Sequence, residues 1–109
     1  MKLPGLTEMM TRLVALPSVS SVSPQFDMSN RAVIDELATW ASSIGMTAEI
    51  QTVHEKPGHY NLIAHMGRGP GGLVLSGHTD TVPCDESLWD SDPFTLTQRD
   101  DRFYGLGSA

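Results

Sequence analysis

The chain has 109 residues, 39% hydrophobic and 18% charged, enough for one domain with a buried core and too apolar for a disordered segment. Seven Lys and Arg against thirteen Asp and Glu leave a net charge of −6 with no cationic patch, which excludes a nucleic-acid partner gripped through its phosphates. Cys84 is the single cysteine, so an internal disulfide and a cysteine-built zinc knuckle are excluded, and no apolar run is long enough to span a bilayer.

Met1-Lys2-Leu3-Pro4 has one cation and no apolar block behind it, which reads as a cytoplasmic start without a signal peptide. Leu6, Met9, Met10, Leu13, Val14 and Leu16 recur at helical spacing, with Thr7 as the predicted cap and Pro17 as the stop. The Ser- and Pro-rich "SVSSVSPQFD" reads as a loop. A second helix is expected to start within residues 27–30. It presents Val33, Ile34, Leu37, Ala38, Ala41 and Ile44 on one face and stops at Gly45.

The period then changes to two. "MTAEIQTV" alternates as a half-buried strand does, and "YNLIAHM" reads as a second strand after the loop "HEKPGH". "GRGPGG" is too short for a helical crossover, so "LIAHM" is expected to pair antiparallel with "LVLS". "LVLS" lacks polar alternation and is predicted to be an interior strand. The tail reads as a loop, a short strand at residues 95–98, a turn at Asp100-Asp101 and an extended "RFYGLG". The predicted fold class is α/β, helices packed on a mixed sheet.

Functional groups in such folds collect where strands end, and His78 and Asp80 follow "LVLSG" directly. If the chain stays extended through Thr79, both side chains point to one side. An imidazole that binds a metal through one nitrogen usually gives its other N–H to a carboxylate, which Asp80 could supply. The triplet alone is equally a solvated loop pair, because a catalytic metal needs three protein ligands and no second ligand pair stands nearby. His54 and His59 flank a polar loop and read as solvated surface, and His65 as an edge or outer-face strand residue. Trp40 reads as packing, and Trp89 and Phe94 as anchors of their loop. Asp85, Glu86, Asp90 and Asp92 lack the spacing of a calcium loop and are expected to be solvated. "GRGPGG" reads as a hairpin turn rather than a phosphate cradle, since no strand-then-helix context follows it.

Taken together, "LVALPSVSS", "GPGGLVLSGHTDTVP", "WDSDPFTLT" and "FYGLGSA" resemble the amino-terminal part of the M20 family of di-metal aminoacyl hydrolases, in order and along nearly the whole chain. The resemblance implies that residues 1–109 form the amino-terminal part of a catalytic domain, a partial α/β/α sandwich. It implies His78 as a ligand to one of two zinc or cobalt ions and Asp80 as the active-site carboxylate that orients it. The implied substrate is a small N-acetylated amino acid, N2-acetyl-L-ornithine being the nearest fit, cleaved to L-ornithine and acetate in arginine biosynthesis. The desuccinylating branch of the family is the alternative within it. In the family a metal-bridging aspartate follows the Gly-Leu-Gly-Ser-Ala words, and the general-base glutamate, the remaining ligands and a dimerisation domain come later. The 109 residues taken alone are therefore expected to be inactive, and a homodimer belongs to the complete enzyme. A reading of another class is a short non-catalytic binding or structural module that pairs with a separate chain.

Overall fold

The computed structural model describes residues 2–109. Its elements run α1 (Leu6–Val14), α2 (Arg31–Ser43), β1 (Thr47–Thr52), β2 (Tyr60–His65), a 3-10 turn at Glu86–Leu88, β3 (Thr97–Arg99) and β4 (Arg102–Tyr104). The chain is thus an α/β mix of two helices and two small antiparallel ladders, β1 with β2 and β3 with β4. A parallel bridge between Val19 and Thr81 joins distant loops. No helix among the described residues is long and apolar enough to cross a membrane.

The helix α1 begins at Leu6, one residue before Thr7, so Thr7 lies inside the first turn and does not cap it. Gly5 holds the cap position, and the Thr7 carbonyl accepts the Thr11 hydroxyl at 2.8 Å. Arg12 links this helix to α2 through Glu36 at 3.3 Å. That pair is largely open to solvent, so it orients more than it stabilises. The second helix starts after Asn30 and buries Val33, Ile34, Trp40 and Ala41, the i, i+1, i+7, i+8 stripe that its spacing dictates. Gly45 follows at φ +88°, the left-handed geometry that ends a helix.

The inner faces of β1 and β2 pack on this stripe. The register sets Ala48 opposite Ala64 and Ile50 opposite Leu62, so the half-buried apolar residues of both strands share one face toward α2. Val19, Val33, Ile34, Trp40 and Ala41 are the buried apolar residues of the core. Trp40 is packing, as expected.

Residues 73–76 differ from their expected place. They join no ladder, and Leu73, Val74 and Leu75 are 84–90% exposed rather than interior. The physical reason lies in "GRGPGG". Four of its glycines (67, 69, 71 and 72) have positive φ, which opens a wide loop in place of one tight turn. The strand expected to pair with "LVLS" pairs instead with β1. Beyond it, β3 and β4 form a hairpin whose tip, Asp100-Asp101, has φ of 50° and 61°. Both signs fit a primed two-residue turn, the type whose twist matches paired strands.

Candidate functional site

Pro17 closes α1, and the chain behind it runs alongside residues 79–81. Ser18 and Val19 are buried there. The Ser18 hydroxyl donates to the Thr79 carbonyl at 2.5 Å, the Thr81 amide donates to the Ser18 carbonyl at 3.2 Å, and the Ser20 amide donates to the Thr81 carbonyl at 2.9 Å. Asn30 reaches the same segment, its amide nitrogen 3.5 Å from the Thr79 hydroxyl.

Within this frame His78 and Asp80 meet, as their two-residue spacing predicts. His78 Nδ1 lies 2.9 Å from Asp80 Oδ1 and 3.1 Å from the Asp80 carbonyl oxygen. A carboxylate oxygen and a carbonyl oxygen are both acceptors, so Nδ1 is the nitrogen that carries the hydrogen whenever the ring is neutral. The lone pair is then on Nε2, and the His78 side chain is 80% exposed. An imidazole held in one tautomer with its other nitrogen free is the form that serves as a metal ligand. The pair lines one wall of a cleft of about 920 Å3, which Leu13, Ile34, Tyr60 and Leu106 also line.

The "FYGLGSA" segment comes to the same place. Leu106 donates its amide to the Pro93 carbonyl at 2.7 Å, and Ala109 lines the cleft beside His78 and Asp80. Gly107, at φ +81°, lies so close to Thr81 that a Cβ on it would sit 2.9 Å from the Thr81 methyl. Only glycine meets both demands there, so two motifs far apart in sequence touch through a residue without a side chain.

A second polar cluster borders the cleft. Asp27 accepts from the Ser21 amide at 2.8 Å, lies 2.8 Å from His59 Nε2 and pairs with Lys56 at 3.2 Å; Lys56 also reaches the Ser20 hydroxyl at 3.0 Å. The Ser21 amide first, and His59 next, hold the Asp27 carboxyl down to about 2. His59 is only 12% exposed and is not the solvated residue that its polar neighbours suggest, because Asp27 folds over it from 32 positions away. His54 and His65 are exposed. Asp85, Glu86, Asp90 and Asp92 are exposed too, but Asp85 caps the 3-10 turn through the Ser87 amide and hydroxyl, which lower its pKa, and Asp92 takes the Phe94 amide.

Among the described residues no three His, Cys, Asp or Glu side chains converge as a metal site would require. The His78–Asp80 pair fits one ligand with its orienting carboxylate, and a catalytic ion needs at least three protein ligands. Sequence reasoning did not single out Ser18, Asn30 or Asp27. A polar residue directly after a helix-ending proline was the only local sign of Ser18, and nothing local marks a bond to residue 79.

Residues 74–109, which hold both motifs, match the family described as Peptidase family M20/M25/M40. The chain is 56% identical over 108 residues to an acetylornithine deacetylase of Photorhabdus laumondii subsp. laumondii, covering 99% of this chain and 28% of that protein. It is 49% identical over 108 residues to the acetylornithine deacetylase of Pasteurella multocida, again over 99% of this chain and 28% of the relative. The one from Vibrio campbellii is 47% identical over 109 residues, 100% of this chain and 28% of the relative. The chain thus spans about 28% of the length of the curated relatives it matches. Likeness to these deacetylases thus runs along the whole chain, and the motif-bearing residues 74–109 are similar to the Peptidase family M20/M25/M40 pattern.

Proposed function

We propose that this chain supplies the first metal ligand, His78, and its orienting carboxylate, Asp80, to a metal-dependent amide hydrolase that deacetylates N2-acetyl-L-ornithine to L-ornithine and acetate. The observation that carries the reading is the His78–Asp80 pair, 2.9 Å apart with Nε2 turned to solvent, inside sequence that resembles acetylornithine deacetylases from end to end. A divalent ion, zinc or cobalt, would add Lewis acidity and a water acidified to about pKa 7. The chain's own part is local. Asp80 keeps a proton on His78 Nδ1 and raises the basicity of Nε2, which a ligand needs. The acetyl group and the amino acid would be bound by residues beyond these 109, since one imidazole and one carboxylate hold neither.

The test is a chimera in which this chain replaces the matching 108 residues of the Photorhabdus relative. The soluble chimera is expected to release acetate from acetylornithine with added zinc or cobalt. His78→Ala is expected to lower kcat/KM by roughly 1,000-fold or more, the scale of losing a group that acts only through the catalytic centre. Asp80→Asn is expected to cost roughly 10–100-fold, the range for an orienting partner of a ligand. A His78→Ala chimera that keeps full activity would overturn the reading.

A further inference from the structure

We infer that Ser18 is a positioning residue for the His78–Asp80 pair, a role that rests on the proposed function for its catalytic meaning and on geometry for its existence. The Thr79 carbonyl and the Thr81 amide belong to the two peptide units that flank the Asp80 α-carbon. Both are bonded to Ser18, the first to its hydroxyl at 2.5 Å and the second to its carbonyl at 3.2 Å. One residue therefore fixes the plane on each side of Asp80, and with it φ, ψ and the direction of the Asp80 side chain. That direction decides whether Oδ1 reaches His78 Nδ1, because the pair is otherwise exposed and, among the described residues, the carboxylate has no other side-chain hydrogen bond or ion pair. The Ser18 side is well anchored, being 6% exposed, with the Val19 carbonyl accepting from the Met28 amide at 2.8 Å. A buried hydroxyl on a carbonyl next to an exposed pair transmits order from the core to a group that has none of its own.

The experiment reads the His78 ring directly. In the 109-residue chain, without metal or substrate, long-range proton–nitrogen NMR is expected to show His78 as the Nδ1–H tautomer and Thr81 with a slowly exchanging amide. Ser18→Ala should leave the fold's amide dispersion intact, shift the ring to a mixture of tautomers and speed Thr81 exchange by roughly tenfold or more. Ser18→Thr, which keeps the hydroxyl, should restore both signals. Asp80→Asn should change the tautomer and leave the Thr81 amide protected, which separates the pair from the brace that holds it. In the chimera, Ser18→Ala should lower kcat by roughly tenfold with little change in KM, again rescued by threonine. A folded Ser18→Ala chain whose His78 keeps the wild-type tautomer would refute the positioning role. Were that variant not to fold, the wild-type chain decides: a rapidly exchanging Thr81 amide beside an intact pair refutes it equally. Neither result touches the reaction, which the His78→Ala chimera tests by itself.

Discussion

At the scale of single residues, the difference between what could be foreseen and what could not is sequence distance. His78 and Asp80 stand two apart, and any extended backbone brings such side chains to one face, so their hydrogen bond was legible. His59 and Asp27 are 32 positions apart, and only the folded chain joins them. Their pairing carries a consequence for acid stability. Asp27 is held at about 2, below its ordinary value of 3.8, by the Ser21 amide and then His59. A depressed carboxyl stabilises the folded state fully above the ordinary value and loses that contribution as pH falls through the folded one. Stability contributed by Asp27 is therefore expected at pH 5 and largely gone at pH 2. Denaturant titrations at pH 5, 3.5 and 2 check this. Asp27→Asn should be less stable than wild type at pH 5 and converge with it at pH 2, and equal gaps at all three values would speak against the carboxylate's role.

Among the elements, α2 and the strands β1 and β2, though not their pairing, were readable because their apolar residues recur at 3.6 and 2, and burial rewards just those periods. What holds them together was not readable. Asn30 lies at the start of α2, where an asparagine usually caps its own helix, yet it makes no such bond. Its carbonyl oxygen takes the Tyr60 amide at 2.9 Å and its amide nitrogen gives to the Tyr60 carbonyl at 2.8 Å. The side chain thus imitates a neighbouring strand at the first residue of β2, and Arg31 covers the Tyr60 ring at 5.0 Å. Asn30→Ala leaves both Tyr60 groups without these partners and is expected to cost about 1–3 kcal/mol, measured by chemical denaturation. Asn30→Asp keeps an acceptor and loses the donor, so it should fall between. A cost near zero for the alanine variant would mean that solvent replaces both bonds. The same scale explains the misplaced strand at residues 73–76. Its composition specified an apolar environment but not which neighbour provides it, and the glycines of "GRGPGG" removed the adjacent candidate.

For the molecule as a whole, surface area tells how far the packing goes. A compact monomer of 11.8 kDa exposes about 5,900 Å2, whereas this chain exposes 8010 Å2. Its radius of gyration is 15.6 Å against about 13 Å for a compact chain of this length. The excess is apolar where it matters, at Leu73, Val74 and Leu75, which lead straight into the His78 segment. The fold class was legible in the sequence because it follows from element order. The completeness of the site was not legible from periodicity or spacing, which offered one candidate ligand, His78, and no others; resemblance alone supplied the rest as expectations. The chain spans about 28% of the length of the relatives it matches, and it leaves this apolar surface uncovered. The central claim is that His78 binds metal, and metal content tests it most directly. The chimera with the Photorhabdus relative, loaded with zinc and freed of excess by gel filtration, should hold two ions per chain, and His78→Ala should hold about one fewer, in line with the loss of one of three or four ligands at one ion. Equal zinc content in the two proteins would contradict the account, whatever their activities.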